Sequence, residues 1–307
     1  MAESENALIK ASAAEPECQR LLQDGPYVAP MAGLLRFSRP LNCVMSAVGV
    51  AIGGVVGVGS AAWGDLARPL ALAAAAAAAF TAGGNALNDI VDRETDRINH
   101  PDRPLASGQL TLGTARAFAV SAFAIAAVLA VFINPLALLI VGLNVTLMVS
   151  YENWLKARGA AGNLVIAYLV GSLFLFAGVS VFRSSSDPLI RTGILAALAF
   201  LATLGREITK DIEDMRGDVD RVTLPRRIGA SRAGLVAGLA LALCVALSFL
   251  PLYFGVLGIG YAVLVLPADG MFIYAALHSA ANPARSQRVT KYAMIVALAA
   301  FLAGAFL

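Results

Sequence analysis

Apolar residues fill runs of about twenty along most of the chain, and the charges collect in the short links between them. A helix rises 1.5 Å per residue, so about 20 apolar residues cross a hydrocarbon core of about 30 Å. The pattern predicts nine spans, at roughly 40–60, 68–92, 112–132, 135–152, 162–182, 188–209, 231–250, 254–275 and 289–306. Links at Asn134–Pro135 and Pro251–Tyr253 read as tight hairpins that divide two very long apolar tracts. The predicted fold class is all-α, a polytopic bundle of about nine transmembrane helices.

Composition agrees. The 307 residues are 59% hydrophobic and 14% charged, with a mean hydropathy of +0.75; a soluble chain carries about 25% charged residues. The net charge of +3 matters less than where the bases lie. Of 23 Lys and Arg, only Arg68, Arg183 and Arg191 fall on the side of the odd-numbered links. Basic residues stay in the cytoplasm, so the N-terminus and the even links are predicted to be cytoplasmic. Cys18, Cys43 and Cys244 lack the spacing of a disulfide framework or a zinc site. Residues 1–35 read as a cytoplasmic extension, polar and mildly acidic (Glu3, Glu5, Glu15, Glu17, Asp24), without the basic start and apolar core of a signal peptide. Its end, from about Pro26 to Ser38, is expected to lie along the interface.

The acids gather on the basic side. NDIVDRETD (Asn88–Asp96) ends the second span, and KDIEDMRGD (Lys210–Asp218) ends the sixth. These two links lie four spans apart, which reads as a degenerate internal duplication with the ninth span added. Asn88, Asp92 and Asp96 recur at i, i+4 and i+8, so a continuing helix turns all three one way. Asp211, Asp214 and Asp218 share a face at i, i+3 and i+7. Clustered carboxylates repel unless a cation sits among them, and Mg²⁺ takes one or two carboxylates plus substrate phosphates. Arg103, Lys156, Arg206 and Lys210 lie on the same side, able to contact phosphate oxygens. Acids for metal and bases for phosphate, beside an apolar bundle, point to a polyanion with a greasy tail: a prenyl diphosphate. The bland alternative, merely solvated link charges, leaves two helix-phased clusters at matching places unexplained.

At these residues the chain resembles the UbiA superfamily of intramembrane prenyltransferases. NDIVDRETD matches that family's NDxxDxxxD motif and KDIEDMRGD its second aspartate-rich motif. HPDRPLASG (His100–Gly108) and GNLVIA (Gly162–Ala167) are similar to further recurrent elements, and the likeness runs from RFSRPLNCVMSAVGVAIGG (Arg36–Gly54) to the last span. The resemblance implies a prenyltransferase domain over 36–307, built around a central cavity with a cytoplasmic cap. Asn88, Asp92, Asp96, Asp211, Asp214 and Asp218 then become the metal and catalytic positions. The first span and REITKDIEDMRGD (Arg206–Asp218) are most similar to an archaeal branch. That likeness implies Mg²⁺-dependent transfer of a geranylgeranyl group from its diphosphate to the hydroxyl of geranylgeranylglyceryl phosphate, in ether-lipid synthesis.

On this reading the partners are a prenyl diphosphate, a lipid-phosphate acceptor and the bilayer, with no nucleic acid and no protein partner evident. Arg103, Lys156, Arg206 and Lys210 are substrate-binding candidates. Asn42, just inside the first span, is a further candidate for hydrogen-bonding substrate. Arg36 and Arg39 are candidates for the acceptor's phosphate or simple interfacial anchors. Asp89, about 100° off the Asn88 phase, is read as a brace for the loop. Phe80, Tyr151, Tyr168, Phe174 and Phe176 lie at depths where a ring could face an allylic cation, though most aromatics in apolar spans serve packing. His100 and His278 lack metal-ligand company. Gly83–Gly84 either bends the second span or makes room for a tail. Two other functions stay open: an aromatic acceptor in place of the lipid, and a cation transporter. Transport sites favour the midplane, where ionisable residues are nearly absent.

Overall fold

The computed structural model describes residues 30–59, 63–215 and 222–306, and the reading of residues 1–29 lies outside them. Among the described residues all regular structure is helical. A short helix α1 (Pro30–Ser38) covers the described part of the predicted interfacial segment. It leads into α2 (Pro40–Val58), α3 (Trp63–Val91) and the short α4 (Arg93–Asn99). Then come α5 (Leu112–Val131), α6 (Pro135–Ser150), α7 (Ala160–Val181) and α8 (Asp187–Asp214). The short α9 (Leu224–Ile228), α10 (Ala230–Leu247), the one-turn α11 (Leu250–Tyr253), α12 (Ile259–His278) and α13 (Pro283–Phe306) complete the chain. Nine stretches among the described residues are long and apolar enough to cross a membrane, matching the sequence count.

Three boundaries moved. The sixth span runs on to Asp214 and carries the second acidic motif on helix. The eighth starts at Ile259, because Gly255, in a left-handed conformation at φ 60°, breaks the chain before it. The ninth starts at Pro283, since polar Arg285, Gln287 and Arg288 continue the helix where hydropathy falls silent. The Asn134 hairpin holds as expected. Its side chain accepts from Ala137 N and donates to Val179 O, both at 2.8 Å, capping α6 and tying it to α7.

The spans close a ring in the order α2, α3, α5, α6, α7, α8, α10, α12, α13 and back to α2. Contacts of α2 with α7 and α8, and of α3 with α7, cross its middle. The pattern is two-fold: α2–α3 corresponds to α7–α8, α3–α5 to α8–α10, and α2–α8 to α7–α3. One apolar core gathers on α8, α10, α12 and α13, a second on α3, α5 and α6, and α2 and α7 contribute to both. Small residues bring the helices close. Ala115, Ala119, Ala122, Ala126 and Ala130 form the buried stripe of α5, and a Cβ at Gly53 of α2 would lie 2.8 Å from that of Ala177. Helix α3 runs unbroken through Gly83 and Gly84, which admit the Phe123 ring and the Met148 methyl.

Packing is tightest away from the acidic motifs. Gly49 and Val50, then Ile52–Gly57 of α2, and Phe176–Val181 of α7 are buried, whereas Leu41, Val44, Met45 and Val48 near the start of α2 are exposed. The deepest burial of α2 and α7 thus lies at their ends away from the motifs.

Candidate active site

Helix α3 ends at Val91, but the chain scarcely breaks. Asp92 N donates to Asn88 O at 2.9 Å and Asp96 N to Asp92 O at 2.8 Å, so helical bonding runs across the turn into α4. Asp92 itself sits at φ −83°, ψ 7°, a bridge conformation that turns the following residues away from the α3 axis. The three residues expected on one face therefore separate. Asn88 and Asp92 stay together, and Asp96 joins Asp89.

Asn88 and Asp92 meet the end of α6. After Ser150 the backbone widens into a π-turn, Tyr151–Leu155, with Lys156 N donating to Tyr151 O at 2.9 Å. Such turns commonly mark functional sites, and this one delivers Glu152 and Lys156 to the first motif. Lys156 Nζ lies 2.6 Å from Asp92 Oδ2 and 3.1 Å from Glu152 Oε2. Asn88 Nδ2 donates to Asp92 Oδ2 and Glu152 Oε1, each at 3.0 Å. Glu152 is only 5% exposed. Two carboxylates thus hold one compact cation, with the Asn88 amide bridging them. That donor chemistry suits Mg²⁺.

Asp89 and Asp96, both buried, form the second half of this cluster. Arg103 Nη1 bonds Asp96 at 2.6 Å and Asp89 at 3.3 Å, while Arg39 pairs with Asp89 from the start of α2. The brace expected of Asp89 is what the structure builds. Arg39 holds φ 52°, ψ 70° and is the one described non-glycine residue at positive φ. The position costs on the order of 1–3 kcal/mol, and the following Pro40 disfavours it further.

The second motif lies at the same end of the bundle. Asn163 Nδ2, in the first turn of α7, donates to Asp211 Oδ2 at 2.9 Å. Asp214 closes α8 and is exposed, as is Lys210, and Asp218 lies outside the described residues. Arg206 bonds Glu207 at 2.6 Å and reaches Gln287 of α13 at 3.5 Å, leaving its Nε buried and without a partner. The chain from Glu152 to Asn163 touches both motifs, and Ala157 O also accepts from Val222 N, just past the second, at 3.2 Å. Among the described residues no three His, Cys, Asp or Glu side chains close on one point.

Other candidates sit further off or play other parts. Asn42 is exposed and contacts Asn85 at 3.4 Å. Arg36 reaches Asp102 O at 3.4 Å. Phe174 and Phe176 are core residues, Phe174 edge-on to Phe301, and Phe80 packs on Phe123. Tyr168 is partly buried and His278 stacks on Tyr274. Three buried polar groups escaped the sequence reading. Glu152 stands four residues before Lys156, a spacing that pairs acid with base on a helix. Asn163 lies inside the recognised GNLVIA. Asp269, halfway along α12 and buried, accepts from Ser248 Oγ at 2.7 Å.

The two motifs also align in a frame the spacing argument passed over. Setting DIVD on DIED pairs Asp89 with Asp211, Asp92 with Asp214 and Asp96 with Asp218. In that frame Asp89 and Asp211 are each held from the first turn of the span before their own, by Arg39 and Asn163.

A profile of the UbiA prenyltransferase family matches residues 46–305. The chain is 40% identical to the digeranylgeranylglyceryl phosphate synthase of Halobacterium salinarum over 276 residues, 89% of this chain and 96% of that one. Identity to the Methanopyrus kandleri protein of the same name is 40% over 281 residues, covering 89% and 99%. A solved structure described as that synthase superposes with a TM-score of 0.78 at 33% identity, over 90% of this chain and 98% of that chain. A UbiA homologue from Archaeoglobus fulgidus, bound to GPP and Mg²⁺, shares the fold at a TM-score of 0.58 and 18% identity, over 89% and 98%.

Proposed function

The chain belongs to the UbiA prenyltransferase family, and from that premise we propose that it transfers a geranylgeranyl group from geranylgeranyl diphosphate to geranylgeranylglyceryl phosphate. It is a multi-pass membrane enzyme of prenyl transfer. The observation that carries the finer reading is the meeting of Lys156 with Asp92. A base able to bind phosphate and an acid able to bind metal meet at the end of the apolar bundle where both motifs lie, which supports this reading.

Asn88 and Asp92 would hold a divalent cation that neutralises the diphosphate, and the second motif, Asp211, Asp214 and Asp218, would supply further carboxylates. When bound, the metal supplies positive charge that lowers the cost of the departing diphosphate. The chain's own lysines, Lys156 and Lys210, add to this as point charges, while Arg103 stays fixed on Asp96 and Asp89. The allylic C1–O bond breaks and its electron pair leaves with the diphosphate. The acceptor hydroxyl oxygen then forms the new bond to C1 and releases its proton to the departed diphosphate. A carbocation needs no strong base to meet an alcohol. It does need water kept away, which the apolar spans around the tail provide.

For the acceptor's phosphate, Arg206 with its unpartnered Nε is better placed than Arg39, whose guanidinium is committed to Asp89. The charge asymmetry across the bundle supports a site on the cytoplasmic side. The test is direct: purified protein with geranylgeranyl diphosphate, Mg²⁺ and either geranylgeranylglyceryl phosphate or 4-hydroxybenzoate. Ether formation on the lipid phosphate is expected, and product on the aromatic acceptor alone overturns the acceptor.

A further inference from the structure

The first motif balances most of its own charge, four acids against three bases. Asp89, Asp92, Asp96 and Glu152 are met by Arg39, Arg103 and Lys156. The two arginines are forks fixed on buried carboxylates. Lys156 is different, a single ammonium on a flexible stem. It stands on Asp92 with a second carboxylate, Glu152, one turn back on its own segment. A divalent cation on Asp92 Oδ2 would share that oxygen with an ammonium 2.6 Å away, and the two positive charges repel. A metal binding at that oxygen therefore works against Lys156 and favours its displacement.

We propose that Lys156 is a tethered counter-ion, occupying Asp92 until metal arrives and then moving to Glu152 and the incoming diphosphate. This rests on the reading of Asn88 and Asp92 as metal ligands. Glu152 is the positioning residue of the exchange. Buried and fixed by Asn88 Nδ2, it keeps the displaced ammonium beside the phosphate position instead of losing it to water. Lys156 opposes metal when no diphosphate is present and favours the metal–diphosphate pair when it is. Metal and substrate bind cooperatively as a result.

The test is Mn²⁺ binding to the full chain in detergent without diphosphate, read from the electron paramagnetic resonance of free Mn²⁺. Lys156→Gln is expected to bind Mn²⁺ about three- to tenfold more tightly than the unaltered protein, the range of an ion pair removed from competition. Glu152→Gln is expected to bind it more weakly, because Lys156 then has Asp92 alone. Adding inorganic diphosphate should abolish the advantage of Lys156→Gln. A second measurement needs no variant: acylation of Lys156, quantified by peptide mass spectrometry, should quicken when Mn²⁺ is added alone. Unchanged or weaker Mn²⁺ affinity in Lys156→Gln, or an unchanged acylation rate, overturns the exchange. No Mn²⁺ binding in either protein defeats the metal site itself and the exchange with it.

Discussion

The Asn163 amide donates to Asp211 across 48 residues, at 2.9 Å, from the first turn of α7 to the last turn of α8. Glu152 and Lys156, a few residues before Asn163, grip the first motif. One stretch of chain therefore sets the spacing of both acidic clusters. Replacing Asn163 with Leu removes a bond to a charged group, worth about 1.5–3 kcal/mol. Initial rates under saturating Mg²⁺ should fall by about tenfold or more, while circular dichroism keeps the helical signal. A wild-type rate would mean that the position of Asp211 does not matter.

Gly159 lies in that stretch at φ 62°, and a Cβ there would come 2.7 Å from Val222 O. Gly229 is also left-handed, at φ 86°, with open space around it. Gly229→Ala should cost about 1 kcal/mol, the conformational penalty alone. Gly159→Ala adds overpacking of about 1–3 kcal/mol and should lower the thermal midpoint in detergent further. Equal midpoints for the two would show that the contact with Val222 yields freely.

Arg39 keeps a strained backbone beside the carboxylate it serves. Gly relieves the strain and removes the charge, whereas Lys keeps both the strain and one donor. Transfer rates should fall in the order wild type, Arg39→Lys, Arg39→Gly, with the glycine variant down by about tenfold or more. Prenyl transfer by Arg39→Gly at the wild-type rate would reduce Arg39 to an interfacial anchor.

Asp269 tests the transport alternative. It lies halfway along α12 and its carboxylate is engaged by Ser248 Oγ. Asp269→Asn keeps an acceptor for that bond, so transfer should stay within about twofold of wild type, with a modest loss of stability of ~1 kcal/mol. Ion flux into proteoliposomes that disappears in this variant would revive transport.

Much of this architecture is legible along the chain. A hydrocarbon core imposes one length on every span, so nine runs became nine helices among the described residues, with errors only where polar or glycine residues met the interface, as at Pro283 and Gly255. The acidic motifs declared themselves by charge density in an apolar chain. Their partners did not. Helical phase put Asn88, Asp92 and Asp96 together, but the turn at Asp92 sent Asp96 to Arg103. Asp89 met Arg39 across 50 residues, a contact set by the packing of α2 on α3 and invisible to spacing. The π-turn at Tyr151–Leu155 leaves no pattern in hydropathy, so Glu152 passed unremarked beside a Lys156 that was recognised.

The central claim is that the ends of α3 and α8 build one diphosphate site. Mg²⁺-dependent binding of radiolabelled geranylgeranyl diphosphate to the detergent-purified chain tests it most directly, comparing Asp92→Asn, Asp214→Asn and, at the opposite end of α8, Asp187→Asn. Each motif variant should lose about tenfold or more in affinity, ~1.4 kcal/mol or above, while Asp187→Asn binds as wild type does. Wild-type Mg²⁺-dependent binding in either Asp92→Asn or Asp214→Asn would contradict the shared site.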